Sequence, residues 1–453
     1  MNKLCFVLMP FGKKADASGR AIDFDAVYRE VIAPAIEDAG LDPLRADEER
    51  QGGIIHKTMF ERLILCEYAV ADLTLANANV FYELGVRHAV RPWRTVSLFA
   101  DGTRLPFDVN YLRAQPYALS AAGTPSSAAA DREQVAESLR NARAEAANPS
   151  VDSPVFQLVD YLPSPNLDHQ KTDLFRDQVR YSEQAKKAFA QARKEKSAAS
   201  VAKVLASLHP IAELESGVLV DAMLSFRAVE GWSDMIAFIE QMPRPLRQAV
   251  MVREQLAFAL NRAGRGDEAE EVLLALLKER GSAPETLGIL GRVYKDRWEA
   301  ALKAGEQHEA RALLTKAVDT YLRGFEADFR DAYPGINALT LMVVRSADDP
   351  RVARLEPIVR YAVERKIAIT PTADYWDQAS LVELAVLRSD AAGIEETLGH
   401  ALAAVREVWE PKTTARNLSL IRKAREKRGE QCVAADDAER RLRVKAGLSA
   451  QLD

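Results

Sequence analysis

Residues 70–89 read VADLTLANANVFYELGVRHA: an apolar run that stops at Asp72, a polar stretch carrying Asn77 and Asn79, and a helical pattern opening at Val80. Strand, loop and helix in that order form the repeating unit of a parallel sheet. The same alternation extends in both directions. Short apolar runs at 4–9, 41–45, 68–73, 95–99 and 116–119 are each short enough to be a buried strand, and helical stretches at 23–39, 54–66 and 80–90 lie between them. Pro34 falls inside the first helical stretch and is expected to kink or split it. Residues 1–122 are therefore expected to form an α/β domain.

A chain of 453 residues has room for two to four domains, and its 48% hydrophobic content allows several cores. No apolar stretch approaches membrane-spanning length, so no membrane contact is expected. The net charge is -5, with 61 basic against 66 acidic residues, which argues against a nucleic-acid footprint. Cys5, Cys66 and Cys432 are too scattered for a disulfide framework or a zinc site. With no export signal at the N-terminus, a reducing cytoplasm is the expected compartment.

After residue 122 the pattern changes. Residues 123–133, GTPSSAAADRE, and the later ANPSVDSP are small, polar and proline-containing, so 123–170 is expected to be a linker with a short helix. From about 171 to 453 the sequence is helical almost throughout. Aligning SGVLVDAMLSFRAVEGWSDMIAFIEQM with REQLAFALNRAGRGDEAEEVLLALLKE puts Met223 over Ala257 and Met235 over Ala269, a spacing of 34 residues. That is the tetratricopeptide (TPR) period. PETLGILGRVY then carries Gly291 and Tyr294 at small and aromatic positions, with the partner helix expected after an insertion, at Ala317, Tyr321 and Gly324.

The residues able to carry chemistry cluster in the α/β part. Ligands of open α/β sheets bind beyond the carboxyl ends of the strands, where Asp72 and Glu83 are expected. Glu83 is placed in the first helical turn, where the helix dipole would keep it ionised. The alternatives are a surface ion pair between Glu83 and Arg87, and a capping role for Asp72. The first loop, MPFGKK, offers Phe11 for stacking on a base, Gly12 for close backbone approach and Lys13 and Lys14 for a phosphate; the alternative is a solvated loop. RADEERQGG offers Asp47 and Glu48 to sugar hydroxyls, or else is a polar turn. Neither a dinucleotide fingerprint, a Walker loop, a GxSxG elbow nor a kinase motif is present, and His56 and His88 have no third ligand at a metal-binding spacing.

FVLMPFG, FDAVYREVIAPAIEDAG, RADE and ADLTLANANVFYELGVRHA together resemble the nucleoside 2-deoxyribosyltransferase-like proteins, which are structurally akin to TIR domains. The resemblance implies a flavodoxin-like parallel sheet, with Glu83 matching the nucleophile of the ELG-type motif, Asp72 the acidic residue of the preceding loop and Phe11 the aromatic of the first. Where many transferases carry a DxGT-like stretch this chain reads NANVFYELG, which leaves cleavage by water, or ligand sensing without turnover, beside transfer. The later KTDLFRDQ, ETLGILGRVYKDRWE and YLRGFEADFRDAYPGINALTL resemble the TPR-type TRAFs-binding domain of apoptosis-signal-regulating kinases. Bacterial proteins that pair the two regions have been proposed to act in immune or conflict systems.

The expected function is cleavage of an N-glycosidic bond in a nucleoside, nucleotide or NAD-like molecule. Glu83 would capture C1′, Asp72 would orient the sugar or shuttle the proton, and Phe11, Gly12, Lys13, Asp47, Glu48 and Asn79 would bind the substrate. No cofactor is expected, NAD counting as a substrate, and no metal. The helical repeats are expected to meet a protein partner, with homo-oligomerisation left open. The alternative is a binding module that senses a nucleotide without cleaving it, or a protein-interaction scaffold.

Overall fold

The computed structural model describes residues 2–452 apart from 17–18, 46–54, 107–113, 146–149, 160–161, 163–168, 209 and 370–373. Five parallel strands build the main sheet: β1 (Lys3–Leu8), β4 (Leu41–Arg45), β5 (Tyr68–Asp72), β6 (Thr95–Ala100) and β7 (Gln115–Tyr117), in the order β4-β1-β5-β6-β7. Lys3 stands beside Leu41, and Asp72 beside Leu98. Both faces of the sheet are covered, which is why its strands read as continuous apolar runs. Cys5, Val7 and Met9 face a core closed by Val27, Ile32 and Ile36 and by Val135 and Leu139. Leu4, Phe6 and Leu8 face a second core closed by Leu63, Val80, Leu84, Phe175 and Val179.

Three expectations are corrected here. The polar loop after β1 is partly a hairpin, β2 (Lys13–Ala15) pairing antiparallel with β3 (Ala21–Asp23). Its residues are largely exposed, so no apolar alternation announces it. The stretch expected to be a linker with a short helix contains the 17-residue helix Ala128–Ala144, and its Val135, Ala136 and Leu139 are part of the first sheet core. Beyond it, Asp152 and Ser153 donate their N–H groups to Pro92 O, and Ser153 Oγ donates to His88 O. The helix His169–Lys194, expected to open the repeat region, supplies Phe175 and Val179 to the second core. Small and polar composition marked exposed faces there, not an absence of packing. Pro34 has its predicted effect: a π-turn, Tyr28–Ile32, separates Phe24–Val27 from Ala33–Asp38 and accommodates a proline with no N–H to donate.

The chain divides into two compact units, Met1–Met251 and Val252–Asp453. In the first, the sheet is followed by the helices Ala198–Ala206, Ser216–Ala228 and Trp232–Gln241. Among the described residues the second is all helical. Helices begin at 216, 250 and 284, successive starts 34 residues apart, so the repeat period read from the sequence is the spacing of real helices. The helices Pro284–Ala304 and Gln307–Ala327 approach where Gly291 lies against the Tyr321 ring; a Cβ on Gly291 would stand 2.8 Å from it. Gly324 lies against Leu287, and Gly335 against Phe325 and Val359. The last helices, from Tyr375 onward, share a core of Tyr375, Val382, Val386, Leu398, Leu418, Ile421 and Leu442.

Candidate functional site

Strand order reverses between β1 and β5, so the loops leaving these two strands flank the point at which ligands of such sheets bind. The loop after β5 holds Asp72. Its carboxylate is fully buried and accepts from Thr74 N at 3.0 Å, Thr74 Oγ1 at 2.5 Å and Tyr117 OH at 2.8 Å. Thr74 Oγ1 in turn accepts from Ala100 N at 2.9 Å. Burial pushes the Asp72 carboxyl above the usual range, against the three hydrogen bonds that pull it down. This network ties the end of β5 to β6 and β7, so the side chain expected to meet a sugar instead holds three strand ends together.

Asn77 caps the next helix, Ala78–Val90, accepting from Asn79 N at 2.9 Å and Val80 N at 3.3 Å. Asn79 is exposed at the helix start, beside this cap. With the cap at Asn77, Glu83 falls in the second turn rather than the first, beyond the region where the dipole acts strongly. Its carboxyl is largely buried, and desolvation alone pushes its pKa up to about 7. The ionised carboxylate expected at neutral pH is thus corrected to a group poised between its two states, a pKa suited to proton transfer.

The pairing of Glu83 with Arg87 is also corrected. Arg87 is fully buried, and it donates to Leu63 O at 2.9 Å, Cys66 O at 2.6 Å, Glu67 O at 3.0 Å and Thr95 Oγ1 at 3.4 Å. Arg91 donates to Ile64 O at 2.8 Å and Leu65 O at 3.3 Å. The two arginines satisfy the terminal carbonyls of the helix Ile55–Leu65, which would otherwise end in the core without partners.

On the other side of the switch point, Gly12 adopts φ +65° and its N–H donates to Asp25 Oδ1 at 3.1 Å. The same carboxylate oxygen takes Arg45 Nη2 at 2.7 Å. Arg45 lies over the Phe11 ring at 5.3 Å and the Tyr28 ring at 4.5 Å. Phe11 and Gly12, neighbours in sequence, thus stand beside an arginine that the sequence reading did not single out. Lys13 is exposed and stands 3.6 Å from Asp23 in the hairpin. Asp47 and Glu48 lie outside the described residues. Among the described residues no group of acidic, histidine or cysteine side chains is arranged to hold a metal, and no helix is long and apolar enough to cross a membrane.

The model of the family described as the MAP3K TRAFs-binding domain matches residues 80–440. The chain belongs to that family. Over 221 residues it is 28% identical to the mitogen-activated protein kinase kinase kinase nsy-1 of Caenorhabditis elegans, covering 44% of this chain and 14% of that one. Again over 221 residues, it is 25% identical to mitogen-activated protein kinase kinase kinase 15 of Mus musculus, covering 46% and 16%. The chain therefore spans about a seventh of the length of the curated relatives it matches. A thermophilic TPR protein of Thermus thermophilus superposes with a TM-score of 0.35 at 12% identity, covering 45% of this chain and 99% of its own. The family match takes in the Gly291 and Tyr321 contact and the helices after it.

Proposed function

We propose that this chain is a protein-interaction scaffold, with its helical part holding a protein partner of the class for which the family is named. The family match over residues 80–440, which covers almost every helix, carries this reading. The second unit also exposes aromatic surface. Trp376 and Trp409 stack at 5.4 Å between ring centroids while remaining 36% and 55% exposed, and Val408 beside them is exposed as well. Large aromatics paired at a surface are the usual anchors of protein interfaces. Titrating a purified TRAF protein into the full chain by calorimetry tests the reading: saturable heat is expected, and a flat trace at micromolar concentrations would count against it.

A second reading concerns the α/β domain, where a nucleotide-like molecule is held between the β1 and β5 loops and its N-glycosidic bond is cleaved. It is favoured by Glu83, a largely buried carboxyl with a pKa near 7. In this reading Glu83 acts on the sugar or the leaving base, and Asp72 fixes the loop through Thr74 and Tyr117 without touching substrate. Incubation with nucleosides, nucleotides and NAD, followed by chromatography for released base, tests it. Base release that survives Glu83→Gln would remove Glu83 from the chemistry.

A further inference from the structure

Two tryptophans stand at the starts of helices in the second unit, Trp376 in Tyr375–Leu387 and Trp409 in Trp409–Glu426. Their rings meet at 5.4 Å between centroids and an angle of 36°, and Tyr375 meets Trp376 edge-on at 5.2 Å and 84°. Tyr375 is fully buried, and its hydroxyl donates to Thr414 Oγ1 at 2.8 Å. That bond ties the two helices together beside the rings, so the aromatic ledge is set before any partner arrives. Both tryptophans and Val408 remain exposed, and neither indole N–H donates to any described residue. The charged side chains alongside nearly cancel. Arg406 and Lys412 stand against Glu407 and Glu410, and Glu410 already accepts from Arg406 N at 2.8 Å and Glu407 N at 3.0 Å. Lys366 meets Asp377 at 2.6 Å, and Asp374 caps its own helix.

We infer that this ledge binds a proline-rich segment in the polyproline II conformation, carried by the protein partner. The inference rests on the scaffold reading and names what its aromatic surface holds. An amphipathic helix needs a groove for a row of side chains, and an added strand needs a free sheet edge; two adjoining flat rings in a helical unit offer neither. A polyproline II segment packs its rings on flat aromatic surface, and its carbonyls, with no internal hydrogen bonds, are free to accept from the two indole N–H groups. Its conformation exists before binding, so a small contact suffices to hold it. The near-balance of charge beside the rings suits a segment with few charged residues.

The test is calorimetry of the full chain with a capped oligoproline peptide, with a capped Gly-Ser peptide of equal length and an amphipathic helical peptide as separate arms. Saturable binding of oligoproline alone is expected. Trp376→Ala and Trp409→Ala should each weaken it about tenfold or more. Trp409→Phe keeps a ring but removes the N–H donor, and should weaken it about three- to tenfold. Lys412→Gln should change it by less than about twofold, since no charge is recognised. Circular dichroism establishes that the variants are folded. Absence of oligoproline binding, binding that the tryptophan variants leave unaltered, or equal binding of the Gly-Ser or helical peptide overturns the inference. A TRAF protein that binds the wild type and not Trp409→Ala, in a chain that ignores oligoproline, keeps the scaffold reading and removes this one.

Discussion

Replacing Glu83 by Gln is expected to stabilise the protein, and to do so only above the pH at which the carboxyl ionises in the unfolded chain. Desolvation in the helix Ala78–Val90 raises its pKa from 4.5 to about 7. In the unfolded chain it ionises near 4.5, so the folded state binds the proton more tightly. Its contribution to stability is thus fully present below pH 4.5 and is lost as pH rises through about 7. At 1.36 kcal/mol per pKa unit, the ionised side chain costs the fold at most about 3 kcal/mol by pH 8. Gln keeps the shape and cannot ionise. Urea unfolding of the two proteins, followed by circular dichroism between pH 4 and 8, should give matching midpoints at pH 4 and a gap in favour of Gln that opens above about pH 4.5 and levels off above about pH 7. A constant gap across that range, or a Gln variant less stable at pH 8, would refute the argument that desolvation dominates at Glu83.

Arg87→Leu should destabilise the first unit by about 3 to 5 kcal/mol, because the carbonyls of Leu63, Cys66 and Glu67 lose their donors inside the core; thermal unfolding of the full chain measures it. Gly291→Ala places a methyl against the Tyr321 ring and should cost about 1 to 3 kcal/mol in urea unfolding, whereas Gly399→Ala, with open space at the new Cβ, should not destabilise. Trp409→Ala should weaken partner binding about tenfold or more in the calorimetric titration and leave the melting temperature nearly unchanged, since over half of that side chain already faces solvent.

What the sequence made legible was whatever depends on local pattern. The strands around Val7 and Val70 are buried on both faces and show as apolar runs; the 34-residue spacing shows because helix starts repeat. The role of Gly291 was visible because a close approach needs a residue without a side chain. Long-range partners were not visible. Arg87 looks like an exposed helix arginine until the end of the helix Ile55–Leu65 is seen to stop beneath it. Asp72 is closed off by Tyr117, which is 45 residues away in sequence. Arg45 acquires its place only when β4 lies beside β1, bringing it to Asp25, Phe11 and Tyr28. The helix Ala128–Ala144 was expected only as a short helix within a linker, because its exposed face gave it a linker's composition, although Val135 and Leu139 lie on one side of it, four residues apart.

The central claim is that the helical part of this chain engages a protein partner. Hydrogen–deuterium exchange of the full chain, with and without a saturating purified TRAF protein, tests it most directly. The account predicts slowed exchange within residues 284–445, strongest around Trp376 and Trp409, and no change in strands β1 and β5. No protection anywhere, or protection confined to the first 120 residues, would contradict it.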